Sequence, residues 1–259
     1  MGSLYKQEVS KYDKKDGVIA LCYFVYIVVA ISVINSFNLP LTGLPRVLFG
    51  FVLFTAPCIA IVLIRKQGLA SIGFHKKNFW PALCTCLAFS ALVLVVYGNL
   101  IPGILQGWEL RSANSLVNEF VRTLFNAAWE DIVMMGFILT RIYGLIKKDT
   151  LAIAVVALLF GIKHLPMQLI NHGTDYLGIG LMFDMVGWTV AFVVWSLIFK
   201  RYFSIIPIIL LHTMWNFSGR IWLSRGQGLS DEVGFAIMAL SIIAWALISH
   251  YRTRKISAE

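Results

Sequence analysis

The chain has 259 residues, of which 59% are hydrophobic and only 14% are charged, and its net charge is +9. A water-soluble domain carries about a quarter charged residues, so this composition excludes a surface that faces water on all sides. The basic residues form short clusters between apolar stretches, which argues against a nucleic-acid partner and indicates a multi-pass protein in contact with the lipid bilayer. No linker or repeat divides residues 1–259, so we expect a single membrane domain.

Eight apolar stretches are long enough to cross a bilayer core, which takes about 20 helical residues. We therefore predict an all-α integral membrane protein with about eight transmembrane helices around a polar interior cavity. The predicted spans cover residues 17–38, 46–65, 79–105, 116–141, 150–171, 177–199, 203–223 and 232–250. The cysteines lie in apolar stretches and are interpreted as packing residues. They are Cys22, Cys58, Cys84 and Cys86.

The distribution of lysine and arginine predicts the orientation of these spans. If the N-terminus is cytoplasmic, sixteen basic residues fall on the inside and four on the outside. This bias predicts that both termini are cytoplasmic and favours an even number of spans. From the size of the chain alone, we expect the location to be a bacterial plasma membrane.

Polar residues inside two of the spans repeat at helical spacing. Arg122, Asn126 and Glu130 follow one another at i, i+4 and i+8, so they share one face of the fourth span. His212 and Asn216 share a face of the seventh span in the same way. An ionisable side chain in lipid is costly and is a functional-site hypothesis by default. Stripes on several spans predict one shared, hydrated interior.

Depth along the helices brings three of these residues to one level. At a rise of about 1.5 Å per residue from the predicted cytoplasmic ends, Glu130, His164 and His212 all fall near the bilayer midplane. Pro166, just past His164, cannot donate to the carbonyl of Ile162, so we expect a bend there that widens a cavity.

Two chemistries are open to such a set of residues. A carboxylate and a histidine can deprotonate a water molecule while a second histidine and an amide stabilise an oxyanion. Alternatively, Glu130, His164 and His212 could bind zinc and leave one position open for water.

Three short motifs lie in these spans. Residues 160–164 read Phe-Gly-Ile-Lys-His, residues 212–216 read His-Thr-Met-Trp-Asn, and Glu130 is followed by Asp131 and later by Met135. The set resembles the CPBP family of intramembrane proteases, which includes the type II CAAX prenyl endopeptidases and the bacterial Abi proteins linked to bacteriocin processing and immunity. The family motifs are Glu-Glu-x-x-x-Arg, Phe-x-x-x-His and His-x-x-x-Asn/Asp, each on a separate helix. The resemblance covers roughly residues 116–220.

The resemblance implies about eight helices around a conical cavity and a catalytic scheme that needs no metal or other cofactor. In that scheme, Glu130 and His164 activate the hydrolytic water, and His212 with Asn216 forms the oxyanion hole. Four further residues are expected to support them: Asp131, Arg122, Asn126 and Phe160. The first motif departs from the family pattern because Met135 stands where an arginine is expected, and Arg122 or Lys163 could replace that cation.

These observations predict an intramembrane endopeptidase that cleaves a peptide or a protein tail at the membrane. The alternative is a non-catalytic relative, either a peptide-binding protein or a bacteriocin immunity protein, and the missing arginine supports it. A small transporter is a third possibility, because Asp184 and Lys163 also suit that role. We expect those two residues to form an intramembrane pair or to line the cavity.

Overall fold

The computed structural model describes residues 4–37, 43–173, 178–224 and 228–256, and its long elements are all helices. The α-helices are α1 (Leu4–Val9), α2 (Lys14–Ser36), α3 (Gly43–Ile64), α4 (Phe79–Val96), α5 (Leu100–Leu105), α6 (Ala113–Glu130), α7 (Thr140–Ile146), α8 (Asp149–Ile162), α9 (Leu165–His172), α10 (Ile179–Tyr202), α11 (Ile205–Ser218) and α12 (Asp231–Ile256). A short 3₁₀ helix covers Leu69–Ile72, and a π-helix covers Asp131–Leu139. The predicted all-α class is confirmed.

Five helical segments of the described chain are long and apolar enough to cross a membrane. They are Lys14–Ser36, Gly43–Ile64, Phe79–Val96, Asp149–Ile170 and Leu181–Tyr202. The predicted spans 116–141, 203–223 and 232–250 stay predictions. The first of these holds several charged residues, α11 has only 14 residues, and the apolar part of α12 is limited to Ala236–Ile248.

The predicted span 79–105 is wrong as one continuous helix. The chain turns at Gly98, and Asn99 has a left-handed backbone with φ of 50°. The indole of Trp222 donates to the carbonyl of Gly98 at 2.7 Å, and a side chain at Gly103 would collide with the same ring. These contacts pack the turn at Gly98 against the segment that follows α11. Helix α4 therefore ends at Val96.

The centre of the fold is one continuous helical stretch that changes from α to π and back. Residues 113–146 comprise α6, the π-helix and α7, and all nine π-helical residues are buried. The π-helix contacts α2, α3, α8 and α11. π-Helical turns are rare and are frequent at functional sites. Glu130 is the last α-helical residue before this change, so it lies in the middle of the bundle.

The far end of the central stretch is anchored by Arg141, whose side chain is 1% exposed. Its guanidinium donates to the carbonyl and hydroxyl of Ser71 at 3.1 and 2.7 Å, to Gln67 at 2.8 Å and to Thr140 at 2.7 Å. It also lies over the ring of Tyr12 at 4.5 Å. The connection between α3 and α4 is therefore fixed to the start of α7.

Candidate active site

Glu130 is a buried carboxylate held by three side chains. Its Oε1 accepts from the ammonium of Lys163 at 2.9 Å and from the amide of Asn126 at 3.1 Å. Its Oε2 lies 3.7 Å from Nε2 of His212. The indole of Trp129 donates to the amide oxygen of Asn126 at 3.1 Å, which leaves the NH₂ group of that amide directed at Glu130. The carboxylate is thus held by side chains from its own helix, from the turn after α8 and from α11.

His212 is held between an acid and an indole ring. Its Nδ1 lies 3.1 Å from Oδ1 of Asp131, a completely buried carboxylate. Its imidazole stacks on Trp195, with the ring centroids 3.9 Å apart. A hydrogen bond from Nδ1–H to a carboxylate fixes the orientation of the ring, so Nε2 is the nitrogen directed at Glu130.

His164 lies at a break between two helices. The helix α8 ends at Ile162, Lys163 and His164 form a turn, and α9 begins at Leu165 with Pro166 in its first turn. The bend predicted from Pro166 is confirmed. The imidazole of His164 stacks on Trp188 at 4.4 Å, and its Nε2 is buried without a hydrogen-bond partner among the described residues.

Phe160 packs between the two histidines. Its ring meets His164 edge-on at 5.3 Å and His212 at 6.4 Å. The ammonium of Lys163 lies 4.3 Å from the centre of the Phe160 ring and 4.7 Å from that of Trp129, both within cation–π range. Phe160 therefore spaces the imidazoles and shields the Lys163–Glu130 pair from solvent.

Two cavities, of about 450 and 430 Å³, meet at this set of side chains. The first lies among α2, α3 and α6, and the second among α10, α11 and α6. Both are lined by Asn126, Glu130, His164, Asn216 and Arg220. The wall shared by the two cavities therefore contains Glu130, His164 and Asn216.

The structure places all but one of the sequence-predicted site residues on a cavity wall. Arg122 lines the first cavity, and Phe160 and His212 line the second. Asp131 lines neither and lies behind His212, so its contact with the cavities is indirect.

The cation beside Glu130 is Lys163. Of the two candidates to replace the arginine expected at Met135, Arg122 pairs instead with Glu119 at 2.8 Å. The expected pair between Lys163 and Asp184 is wrong, because the ammonium of Lys163 is directed at Glu130. The expectation of cavity lining holds for both residues, Asp184 on the second cavity and Lys163 on the first. Which acid pairs with Lys163 depends on which helices lie side by side. The spacing of residues along one helix carries no information about that.

Sequence reasoning missed the tryptophans that hold the site. Trp188 and Trp195 stand seven residues apart on α10 and each stacks on one of the histidines. A seven-residue interval places two side chains on one helical face. That interval was a usable signal, but both tryptophans also fit an ordinary apolar span.

A metal site was the other chemistry left open by the sequence. Within residues 4–37, 43–173, 178–224 and 228–256, no three His, Cys, Asp or Glu side chains converge as a metal-binding group. The acids and imidazoles of the site make pairwise contacts with each other and with Lys163.

A family model described as type II CAAX prenyl endopeptidase Rce1-like matches residues 112–218. The matched segment runs from the start of α6 to the end of α11 and contains all three motifs. The resemblance to this group of proteases is therefore confirmed. The search of curated proteins found no match, and the search of solved structures found none either.

Proposed function

Because residues 112–218 resemble the Rce1-like type II CAAX prenyl endopeptidases, we propose that this chain is an intramembrane endopeptidase that uses Glu130 and His164. Its substrate is a peptide or a protein tail at the membrane, and its location is the plasma membrane of a bacterium. The family match supports a membrane protease at the coarse level.

The proposed reaction is hydrolysis of one peptide bond. Glu130 takes a proton from a water molecule that Nε2 of His164 orients, and the resulting hydroxide attacks the scissile carbonyl. Asn216 donates a hydrogen bond to the oxyanion through its amide. His212, whose Nδ1–H is held by Asp131, donates through Nε2 when both ring nitrogens carry a proton. Glu130 then gives its proton to the leaving nitrogen as the C–N bond breaks, which releases a carboxylic acid and an amine. The site returns to its starting protonation state.

One observation carries this proposal: Glu130 and His164 both line the wall shared by the two cavities. A buried imidazole nitrogen without a protein partner is costly unless a ligand or a water molecule satisfies it. Among the residues that the structure describes, Nε2 of His164 is such an atom. An extended peptide that passes from one cavity to the other would bring a carbonyl group to this wall.

The test is a cleavage assay on protein purified in mild detergent, with a quenched-peptide library in farnesylated and unmodified forms. Wild type should cleave some peptides, while Glu130→Gln and His164→Ala should lose about 10²–10⁴-fold in kcat/KM. Glu109→Gln is the matched control, because this exposed acid lies outside both cavities. Full activity in either site variant would remove that residue from the reaction.

A second candidate is a non-catalytic peptide-binding or immunity protein. The observation that favours it is the ion pair at 2.9 Å between Glu130 and Lys163, since a paired carboxylate is a weaker base. A binding protein should keep its affinity for the peptide in Glu130→Gln. Peptide binding by folded wild type without any cleavage would decide for this candidate.

A further inference from the structure

Asp184 is an ionisable residue that the proposed reaction does not use. It lies in the segment Leu181–Tyr202, which is long and apolar enough to cross a membrane. A carboxylate in such a segment is costly, and it usually faces a water-filled cavity and marks the pathway of a substrate or an ion. The side chain of Asp184 lines the second cavity, which has a volume of about 430 Å³. It is therefore placed to contact whatever occupies that cavity.

One face of α10 builds the wall of the second cavity around Asp184. Four residues at intervals of three, four, seven and eleven from Asp184 line the cavity with it: Gly187, Trp188, Ala191 and Trp195. These intervals recur on one side of a helix. The carboxylate thus lies on the same face as the two indoles that stack on the histidines of the site.

Gly187 leaves open space beside Asp184. A β-carbon built at this position would meet no atom within 4 Å. Glycine inside a helix is less favourable than alanine because its backbone loses more freedom on folding. No neighbouring atom excludes a larger residue here, so the absence of a side chain leaves room for a ligand group within one turn of the carboxylate.

The charge of Asp184 has no strong partner on this wall. Two other residues that carry a formal charge line the second cavity, Glu130 and Arg220. Glu130 accepts from Lys163 at 2.9 Å, and Arg220 donates to Glu119 at 3.1 Å. Within the described ranges, no lysine or arginine forms an ion pair with Asp184. An unbalanced charge at a cleft attracts ligands of the opposite sign.

The surroundings of Asp184 suit a basic side chain. Its electrostatic neighbour is the exposed imidazole of His172, a weaker partner than a guanidinium because its charge depends on pH. Aromatic rings of Tyr97, Phe183 and Trp188 line the same cavity. Ring faces attract cations, and apolar walls accept the methylene stem of arginine or lysine. A guanidinium can also bind a carboxylate through two parallel hydrogen bonds.

The distance from Asp184 to the level of His164 can be read along α10. Trp188 lies four residues after Asp184 and stacks on His164, with the ring centroids 4.4 Å apart. Four helical residues correspond to about 6 Å along the helix axis. An extended peptide covers about 3.3 Å per residue, so roughly two residues bridge this distance.

From these observations we infer that Asp184 binds a basic side chain, arginine or lysine, of a peptide in the second cavity, about two residues from the bond that is cleaved. Asp184 is then a specificity-determining residue and takes no part in breaking the bond. The inference rests on the proposed function for the position of the cleaved bond only. Binding of the basic side chain can be measured without cleavage.

The experiment measures peptide binding to full-length Glu130→Gln protein, with His164→Ala as a second inert background. Fluorescent versions of one short apolar peptide, blocked at both ends, carry a single arginine, lysine or citrulline. Citrulline keeps the shape of arginine without its charge, so its Kd should be about tenfold higher. Adding Asp184→Asn should raise the Kd of the arginine peptide about tenfold and leave that of the citrulline peptide unchanged.

Two further variants separate charge from space. Gly187→Leu fills the open space beside Asp184 and should raise the Kd of the arginine and citrulline peptides alike. Glu109→Gln is the matched control, because this exposed acid lines neither cavity, and it should change neither Kd. Thermal unfolding in detergent checks that each variant is folded.

Equal Kd for the arginine and citrulline peptides overturns the inference, and so does a preference for arginine that survives Asp184→Asn. The result is separable from the proposed function. Wild type that prefers the arginine peptide but cleaves nothing would remove the protease proposal and leave Asp184 as a binding site. Wild type that cleaves without any preference for a basic residue would do the reverse.

Discussion

Two buried cations in this fold, Arg141 and Lys163, have equally small exposed fractions and very different surroundings. Each side chain is 1% exposed and lies over aromatic rings. The guanidinium of Arg141 donates only to neutral oxygens, and it lines neither cavity. The ammonium of Lys163 is paired with the carboxylate of Glu130 on a cavity wall.

The difference shows how a buried charged residue that stabilises the fold can be distinguished from one that takes part in catalysis. A cation that has a full set of neutral acceptors holds elements together and needs no further partner. A cation that faces an ionised group beside a cavity changes the reactivity of that group. We therefore expect substitution of Arg141 to lower stability and substitution of Lys163 to lower activity.

The largest effect should come from Arg141→Met. The change removes five hydrogen bonds and leaves the carbonyls of Ser71 and Gly136 without this donor, so the free energy of unfolding should fall by about 3–5 kcal/mol. Thermal unfolding in detergent measures the loss. Arg65→Met, at a partly exposed ion pair with Asp16, is the control and should cost at most about 1 kcal/mol. Normal stability in Arg141→Met would refute the scaffold role.

The next effect should come from Lys163→Met. Glu130 would keep Asn126 but lose the cation that fixes its position and compensates its buried charge. The kcat/KM should therefore fall about 100-fold, or about 2.7 kcal/mol. Steady-state cleavage assays measure this. Lys200→Met removes a partly exposed lysine from a pair with Asp149 and should leave cleavage unchanged. Equal activity of the two variants would show that the comparison between Arg141 and Lys163 does not hold.

A smaller loss is expected for Asp131→Asn. An amide can still accept from Nδ1 of His212, but the bond loses its charge, so kcat should fall about tenfold while KM stays constant. The separation of kcat from KM is the measurement, because a general loosening of the site would raise KM as well. A change confined to KM would contradict the positioning role of Asp131.

The smallest expected effect is a partial recovery of activity in Lys163→Met when a second substitution is added. It also gives the sharpest test of the catalytic role assigned to Lys163. Adding Met135→Arg to Lys163→Met restores the family arginine and should regain about fivefold in kcat/KM, roughly 1 kcal/mol. Met135→Arg alone should destabilise the protein, because it adds another cation to a fully buried helix. A double variant no better than Lys163→Met would mean that the two positions do not replace each other.

Much of the site could be predicted from the sequence because its signals lie within single helices. The interval of four residues between Asn126 and Glu130 predicts the shared face on which the structure shows a hydrogen bond. Pro166 likewise predicts the break beside His164. Local rules of helix geometry are enough for both.

The remainder depends on how helices lie beside one another, which periodicity does not encode. The partner of Lys163 is on α6, and the tryptophans that stack on the histidines are on α10. The change from α to π helix at Asp131 also has no signal in composition, since residues 131–139 fit an ordinary apolar span. Five of the eight predicted spans correspond to described helices that are long and apolar enough to cross a membrane, and the other three, which hold charged residues or short apolar helices, stay predictions.

Because the π-helix joins Glu130 to Arg141, the relative orientation of these two side chains depends on the number of residues between them. Deleting one residue from Asp131–Leu139 would change both the number of residues and the winding of this segment, and therefore the angle between the two ends of the stretch. Arg141 would then turn away from Ser71, or Glu130 would turn away from both cavities. Conservative substitutions within these nine residues are expected to be tolerated far better than a deletion. The number of residues in this segment therefore sets the angle between Glu130 at one end of the stretch and Arg141 at the other.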